Sequence, residues 1–329
     1  MQRTINIFTE NNELTVYTIC KWLSFLNIDY VKIYPGIEEF ILCIQKDEKY
    51  IRIDKNKFDF SYDQLYWYRR GELYFNLETQ TRDSKQNIYT KDAIKELNVL
   101  KEVIYKLIED GKCFASFQNA ELNRLHILIT ADKYGLKVPN FLATNSKKEL
   151  TMFFNENKTI VNKPLGNGLF DVNKNKMHAT YTSIFTKNDM NKLPEFFFPS
   201  LFLEYINKEY EVRAFYISGV FYSMAIMSQS NSKTKIDFRR YDIEFPNRYT
   251  PFKLPSQIER KLRSLIKHLK LNTCSIDILV DKSRNYYFLE INPVGQFTFV
   301  GHPCNYYLEK IFAQNLISFR KNKSNEKEN

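Results

Sequence analysis

The 329-residue chain is poor in glycine, with only nine, and it contains neither a Walker A sequence nor a G-x-G-x-x-G fingerprint. Those motifs cradle phosphates in P-loop and Rossmann proteins, so their absence argues against both kinds of nucleotide site. The five cysteines include no C-x-x-C pair, and the four histidines lie far apart. Disulfide frameworks and zinc sites need closer pairings, so we expect a cytoplasmic protein. No apolar run approaches the roughly 20 residues of a membrane helix, and we expect no membrane partner.

Positive charge and aromatic rings are the features in excess. Lys and Arg outnumber Asp and Glu by 48 to 38, a formal net charge of +10. Such a surplus indicates an anionic partner, whether nucleotide phosphates, nucleic acid or an acidic peptide, although solubility alone also explains much of it. With 27 Phe and 22 Tyr, aromatic residues make up 16% of the chain, so we expect ring-lined cores and clefts.

The strongest functional signal is a predicted β-hairpin near the C-terminus. Two segments rich in β-branched and aromatic residues flank the polar run Asp281–Asn285, which reads as a turn. With Val280 and Tyr287 as the innermost pair, Asp277 falls directly opposite Glu290. Like charges on directly paired strand residues repel, so this register needs a compensating cation.

A divalent metal would remove that repulsion. Hard Mg²⁺ is held by one or two carboxylates together with phosphate oxygens. The two-residue period of a strand also points Asn292 to the face of Glu290, so Asp277, Glu290 and Asn292 form a candidate metal site. The alternative is a solvated face on an edge hairpin, which the apolar flanking residues disfavour.

Other segments carry charges or glycines suited to a nucleotide. Lys163 precedes a loop with Gly166 and Gly168, where the backbone could approach phosphates closely. Strand alternation puts Glu211 and Arg213 on one face, a pair suited to a ribose and its phosphates, although a surface ion pair gives the same pattern. Arg239 and Arg124 add cations that could neutralise phosphate charge, and each could also be a solvated charge.

Strands with interleaved helices predict an α+β or α/β architecture. A small α/β unit is expected in the first 85 residues, including a hairpin of Phe40–Ile44 and Tyr50–Ile53. A helix is predicted over Asn119–Tyr134, with Arg124 in its middle, and Ser146 begins another as part of a capping box. The later predicted elements are the strands Thr159–Pro164, Leu201–Ile206, Glu209–Ile217 and Val220–Met227 and the helix Ser256–Leu271.

Taken together and in their order along the chain, these motifs and elements resemble the ATP-grasp family. The resemblance covers roughly residues 119–315. The resemblance implies an α+β (α/β) fold that clamps ATP between two lobes and follows an N-terminal pre-ATP-grasp domain. The implied division is 1–115 for the pre-ATP-grasp domain, 116–205 for the central lobe, 206–320 for the C-terminal lobe with the metal site, and 321–329 for a flexible tail.

The resemblance also assigns roles to residues of this chain. Arg124, where most members have lysine, and Lys163 are implied nucleotide contacts, and Gly166 and Gly168 belong to the loop that covers the phosphates. The hinge Glu204, Tyr205 and Ile206 is implied to recognise adenine, and Glu211 to contact the ribose. Arg213 and Arg239 are the implied catalytic cations. Asp277, Glu290 and Asn292 are the implied ligands of magnesium, with two ions expected.

Three short strings narrow the resemblance further. Phe8–Asn12, Trp67–Arg70, and Asn292–Phe297 with Cys304–Tyr306 are similar to the peptide maturases of grasp-with-spasm and microviridin-type clusters, the graspetide macrocyclases. Such enzymes use ATP to join Asp or Glu side chains of a ribosomal precursor peptide to Ser, Thr or Lys side chains, as esters or amides.

That resemblance implies a precursor peptide with a leader and an acidic, Thr-rich core as the partner, and a homodimer as the usual assembly. Nucleic acid is not expected. Thr81–Asn87 and Phe196–Pro199 are candidate leader contacts. Two rival hypotheses remain: a ligase of the same fold that adds an amino acid such as glutamate to a protein end or small molecule, and a non-catalytic basic module that binds RNA or peptide.

Overall fold

The computed structural model describes residues 4–34, 40–53, 56–60, 64–71, 73, 86–110, 112–115, 117–118, 120, 122–166, 170–173, 176–179, 182–240 and 242–325. None of the helices in those ranges combines the length and the hydropathy that a membrane span requires.

The N-terminal part of the chain is built from short strands and helices. Its elements are β1 (Ile5–Thr9), α1 (Leu14–Phe25), β2 (Tyr30–Ile33), β3 (Phe40–Ile44), β4 (Lys49–Ile53), β5 (Asn56–Asp59), β6 (Leu65–Arg69), α2 (Gln86–Asp110) and β7 (Lys112–Phe114). Strands β2-β1-β6-β7 form a parallel sheet, the N-terminal sheet, and β3-β4-β5 form an antiparallel one. The predicted pairing of β3 with β4 is confirmed, whereas the short strands β2 and β5 were not predicted.

The central part forms a second sheet. Its elements are α3 (Arg124–Lys133), β8 (Phe141–Ser146), α4 (Lys147–Asn157), β9 (Ile160–Lys163), β10 (Phe170–Asn173), β11 (Lys176–Ala179), β12 (Ser183–Phe185), α5 (Lys187–Lys192) and β13 (Phe196–Glu204). Strands β12-β9-β13-β8 are antiparallel neighbours and form the central sheet, and β10 pairs with β11. The Ser146 side chain accepts a hydrogen bond from the Glu149 N–H at 3.4 Å, so the predicted N-cap of α4 is present. The Ser146 N–H donates to Thr144 Oγ1 at 3.0 Å rather than to Glu149, so the capping box is not completed.

Two predictions for the central part were wrong at their boundaries. Helix α3 begins at Arg124 rather than at Asn119, because the Asn123 side chain caps it by accepting from the His126 N–H at 3.0 Å. Arg124 therefore lies in the first turn of the helix instead of its middle. Strand β13 begins at Phe196, so Phe196–Pro199 belongs to the strand, where Phe196 and Phe198 are exposed.

The C-terminal part provides the largest sheet. Its elements are β14 (Lys208–Ile217), β15 (Val220–Met227), β16 (Arg248–Phe252), α6 (Ser256–His268), β17 (Thr273–Asp281), β18 (Tyr286–Asn292), α7 (Thr298–Cys304) and α8 (Leu308–Asn325). Strands β16-β15-β14-β17-β18 form the antiparallel C-terminal sheet. A tight two-residue turn joins β14 to β15: Ser218 and Gly219 have φ of +44° and +98°, as a hairpin loop of this kind requires.

The C-terminal sheet has two faces of different character. On one face, Val212 and Ala214 of β14 and Ile276 of β17 pack on helix α6 in a continuous apolar core. The opposite face carries the alternating residues Arg213 and Asp277, which are paired across the strands. Because side chains alternate along a strand, one sheet can complete the core and present charged groups to a cleft.

An aromatic cluster ties the C-terminal sheet to the N-terminal sheet. Phe312 of α8 stacks on Phe297 with ring centroids 5.1 Å apart, and Phe297 in turn stacks on Phe215 of β14 at 4.6 Å. On its other side Phe312 contacts Trp67 of β6 at 4.8 Å and Phe114 of β7 at 5.3 Å. Such ring pairs add to the free energy of burial. The face that carries Arg213 and Asp277 thus continues, further along the strands, into a buried core.

Candidate active site

The acidic pair of the predicted hairpin lies where the sequence indicated, but by a different register. Asp277 pairs with Glu290, whereas Val280 pairs with Tyr286 rather than with Tyr287. The ladder shifts between Asp277 and Ile278, because β18 contains one extra residue, Leu289, as a β-bulge. The bulge restores the Asp277–Glu290 pairing that a regular ladder in this register would have lost.

Both carboxylates are held by cations from other elements. Arg213 Nη1 lies 3.0 Å from each oxygen of Asp277. Glu290 Oε2 accepts from Lys163 Nζ at 2.9 Å and lies 3.3 Å from Arg124 Nη2. All five side chains are mostly buried. The cations thus neutralise two acidic groups that would otherwise repel each other.

The two carboxyls differ in their proton affinity. Burial raises the pKa of Asp277, and the adjacent charge of Glu290 adds to the rise, while Arg213 opposes it. Burial acts in the same direction on Glu290, but Lys163 and Arg124 outweigh it and hold the pKa of that carboxyl well below its usual range. Glu290 is therefore the permanently charged member of the pair.

The third predicted metal ligand joins this pair. Asn292 lies on the same strand, with its Nδ2 3.4 Å from Glu290 Oε1. The described residues contain no group of three or more His, Cys, Asp or Glu side chains able to hold a metal, so a cation here would rely on two carboxylates and one amide oxygen. That donor set suits Mg²⁺, which completes its coordination with substrate phosphates and water.

Two buried donors beside the acidic pair also fit a phosphate-bearing ligand. Arg124 Nε and Arg213 Nε are buried, and neither has a hydrogen-bond partner among the described residues. Buried polar groups are normally satisfied, and phosphate oxygens are strong acceptors for guanidinium groups. Donors without partners next to an acidic pair are therefore consistent with a metal-bound polyphosphate.

Arg124 links the helix α3 to the loop after β9. Its Nη1 donates to the carbonyls of Pro164 and Gly166, the latter at 2.9 Å. A Cβ on Gly166 would meet no atom within 4 Å, so this loop borders open space. Gly168, the other predicted loop glycine, lies outside the described residues.

One cleft collects most of the predicted residues. The space between its walls is about 680 Å³ with the open mouth included. The predicted residues that line it are Lys163, Glu204, Tyr205, Ile206, Glu211, Arg239, Asp277 and Glu290. The central sheet supplies Lys163 and Glu204, and the C-terminal sheet supplies Glu211 and the acidic pair.

Sequence reasoning missed the partner of Glu211. This carboxylate was expected beside Arg213, yet it accepts from Lys208 Nζ at 2.7 Å and from Ser228 at 3.1 Å. An interval of three residues normally puts strand side chains on opposite faces, but β14 has an irregularity between Lys208 and Tyr210. This local irregularity allows Lys208 and Glu211 to face the same cleft.

Asp237 is a second residue that the sequence analysis did not assign. Its carboxylate accepts from Arg239 Nε at 2.8 Å and Nη2 at 2.6 Å, and also from the Thr182 N–H at 3.1 Å. The hydrogen bonds and charge of Asp237 raise the pKa of Arg239 further above its already high value. Arg239 is therefore a fixed, permanently charged cation on the cleft wall, with 47% of its side chain exposed. The proximity of Asp237 to Arg239 in sequence was the available signal.

The two sheets and the cleft between them have the ATP-grasp fold. No protein-family profile and no curated protein matches the chain by sequence. Solved structures do: the macrocyclase MdnC of Microcystis aeruginosa MRC, bound to its precursor peptide MdnA, matches with a TM-score of 0.76 at 24% identity, over 96% of this chain and 99% of that one.

Two further ligases show the same similarity. One is an ATP-grasp ligase from Chryseobacterium gregarium that is associated with ribosomally made and modified peptides, in complex with ADP, a leader and a core peptide. It matches with a TM-score of 0.79 at 20% identity, over 98% of this chain and 97% of that one. The ATP-grasp ligase PsnB, complexed with minimal precursor, Mg and ADP, matches with 0.74 at 17% identity, over 97% of each chain. The D-cycloserine synthetase DcsG matches less well, with a TM-score of 0.54 at 10% identity.

Proposed function

We propose that this chain is an ATP- and Mg²⁺-dependent ligase that joins Asp or Glu side chains of a ribosomally made precursor peptide to hydroxyl or amino side chains of the same peptide. The observation that carries the proposal is the convergence of Asn292 and the cations Lys163 and Arg213 on the acidic pair Asp277 and Glu290, which lines the cleft. Similarity over nearly the full length of ligases that hold precursor peptides supports the substrate class.

The chemistry requires that a carboxylate be activated. A carboxylate oxygen attacks the γ-phosphorus of ATP, which releases ADP and leaves an acyl phosphate on the peptide. A hydroxyl or amine then attacks the carbonyl carbon, and inorganic phosphate leaves as the ester or amide forms. Enzymes accelerate such transfers by positioning the reactants and stabilising charge, which is the chemistry that a cleft with fixed cations can perform.

Each group of residues has a proposed part in that reaction. Asp277, Glu290 and Asn292 would hold magnesium, with two ions proposed, and the metal would offset the charge of the β- and γ-phosphates. Lys163 and Arg124 would bind phosphates beneath the loop of Gly166 and Gly168, and the hinge Glu204–Ile206 would hold adenine, with Glu211 on the ribose side. Arg213 and Arg239 would stabilise the charge that develops as the acceptor carboxylate attacks.

Arg239 has the most favourable position for meeting the peptide. Its guanidinium is oriented by Asp237 and half exposed, so one side remains accessible to an incoming acidic side chain. A bidentate match between guanidinium and carboxylate gives both charge and orientation.

Mass spectrometry tests the proposal directly. The probe is a short acidic, Thr-rich precursor peptide, incubated with the protein, ATP and Mg²⁺. Ring closure lowers the peptide mass by one water per bond, with one ADP released for each. A gain of one amino-acid residue would instead identify an amino-acid ligase. Binding without any nucleotide requirement, and with a steep salt dependence, would identify a non-catalytic module; both results would overturn the proposal.

A further inference from the structure

Arg69 connects the N-terminal sheet to the turn that follows the metal-ligand strand. It is the last residue of β6, and its Nη1 donates to the Val294 carbonyl at 2.7 Å and to the Gly295 carbonyl at 3.1 Å. The two partners are more than 220 residues away in sequence. They follow Asn292 by two and three positions, so the guanidinium holds the turn immediately after a candidate metal ligand.

The same turn is confined from the opposite side. The Gly295 N–H donates to the Asn292 carbonyl at 3.1 Å, which closes the turn on the ligand itself. A Cβ on Gly295 would lie 2.5 Å from the Ser275 Cβ, a separation that real side chains do not tolerate. Ser275 is directly paired with Asn292 in the sheet. Asn292 is thus fixed by its strand pairing and by a turn that Arg69 holds in place.

Arg69 is itself fixed in one orientation. Only 4% of its side chain is exposed, and its Nη2 lies 3.5 Å from Glu13 Oε1, which is equally buried. The guanidinium also lies over the Phe297 ring, 5.9 Å from its centroid. A buried charge is expensive to keep without full compensation. The hydrogen bonds to the two carbonyls and the charge of Glu13 supply part of that compensation.

We infer that Arg69 is a positioning residue for magnesium binding: it holds the 292–295 turn so that Asn292 presents its side chain beside Glu290. This inference rests on the proposed function. It makes the metal site depend on a side chain from outside the lobes that hold the nucleotide. Arg69 lies on the N-terminal sheet and is not itself a metal ligand.

The test compares the variants Arg69→Met and Arg69→Lys. Calorimetry with the non-hydrolysable ATP analogue AMPPNP gives its affinity at a series of Mg²⁺ concentrations, and from these the half-saturating Mg²⁺ concentration. Arg69→Met, which cannot donate, should raise that concentration at least tenfold. Arg69→Lys keeps a donor but loses the forked geometry, so a smaller increase is expected, which would be partial rescue. Binding of AMPPNP without Mg²⁺ should change less than twofold.

The matched control is Arg52→Met, the same substitution at an exposed arginine of β4 in the N-terminal part of the chain. Its half-saturating Mg²⁺ concentration should equal that of the wild type. A folded Arg69→Met protein within twofold of the wild type would overturn the inference. If Arg69→Met does not fold, Arg69→Lys decides, because it retains the charge opposite Glu13; a wild-type Mg²⁺ requirement in that variant would likewise overturn it.

The wild-type measurement separates this inference from the proposed function. Absence of Mg²⁺-dependent AMPPNP uptake by the wild type would overturn the proposed function and the inference together. Uptake by the wild type with an unchanged Mg²⁺ requirement in folded Arg69→Met, or in Arg69→Lys where Arg69→Met does not fold, would overturn the inference alone.

Discussion

Lys163 Nζ lies 2.9 Å from Glu290 Oε2, although the two residues are 127 positions apart in the sequence. Lys163 ends β9 of the central sheet and Glu290 lies in β18 of the C-terminal sheet, so their ion pair spans the cleft. Arg124 approaches the same carboxylate oxygen. One acidic side chain therefore compensates two cations, Lys163 from the opposite sheet and Arg124 from helix α3, and we expect it to influence both stability and ligand binding.

Glu290→Gln should lower stability and abolish turnover. The amide keeps the shape of the side chain but removes the charge opposite Lys163 and Arg124, and breaking a buried ion pair in this way costs about 3 kcal/mol or more. Denaturant unfolding measures that change. Release of ADP in the presence of Mg²⁺, ATP and the precursor should fall below detection, because a proposed metal ligand is also lost.

Glu102→Gln is the control for that experiment. Glu102 is exposed on α2, and surface substitutions of this kind usually change stability by less than about 0.5 kcal/mol. Unchanged ADP release in Glu290→Gln would remove Glu290 from the metal site. An unchanged free energy of unfolding would show that its contacts with Lys163 and Arg124 do not stabilise the fold.

Arg213→Lys should impair turnover more than stability. Arg213 reaches both oxygens of Asp277, and lysine keeps the charge but not the planar fork of donors. We expect kcat for ADP release to fall about tenfold to 100-fold, equivalent to roughly 1.4–2.7 kcal/mol, with a change in unfolding free energy of about 1 kcal/mol or less. Arg248→Lys, at an exposed position of β16, should leave both values unchanged. Equal kinetics in the two variants would exclude a catalytic role for Arg213.

The predicted Asp277–Glu290 pairing is correct, although the pair from which it was counted is not. The prediction started from Val280 opposite Tyr287, and the extra residue Leu289 offsets that one-residue error. The two-residue period of a strand correctly put Asn292 near Glu290. The bulge at Leu289 was not predictable, since nothing in local composition distinguishes an inserted leucine from a paired one. The irregularity of β14 near Lys208 was equally unpredictable, and for that reason the sequence analysis did not find Lys208 as the partner of Glu211.

For helix α3, the sequence did contain a signal for the first residue of the helix, but the prediction did not use it. The predicted helix began at Asn119, although Asn123 is a favourable N-cap residue and the observed helix begins directly after it. The contacts that position Arg124 involve Pro164, Gly166 and Glu290. Such long-range contacts leave no periodic pattern in the sequence, so only the folded structure shows them.

Lys208→Met should be strongly destabilising. Lys208 and Glu211 are 3% and 9% exposed and form an ion pair of 2.7 Å, so the variant leaves a buried carboxylate without its cation, at a cost of about 3–5 kcal/mol. Glu259→Gln, which removes the exposed Arg263–Glu259 pair of 3.3 Å, should cost less than about 0.5 kcal/mol. Equal losses of unfolding free energy in the two variants would show that the burial of the Lys208–Glu211 pair does not make it more costly to break.

The destabilisation by Lys208→Met should also depend on pH. Burial raises the pKa of Glu211, and Lys208 opposes that rise, so removing Lys208 raises the pKa of this carboxyl further in the folded state. A carboxyl with a higher pKa folded than unfolded loses stability as the pH increases above its unfolded value of about 4.3. The deficit relative to the wild type should therefore be smaller at about pH 5 than at about pH 8. A pH-independent deficit would show that Glu211 does not take up a proton in the variant.

Leu289→Ala should weaken ATP binding without slowing the chemical step. The bulge leaves Leu289 unpaired in β18, where it lines the cleft together with Leu279 of the neighbouring strand. In the proposed function ATP occupies this cleft, so losing an apolar contact between Leu289 and the nucleotide should cost about 1 kcal/mol and raise KM for ATP roughly fivefold. An apolar contact made equally in the ground and transition states leaves kcat unchanged. Steady-state ADP release measures both constants, and Val220→Ala, at an exposed end of β15, should change neither. A lower kcat with an unchanged KM would place Leu289 beside the reacting groups instead of the adenine.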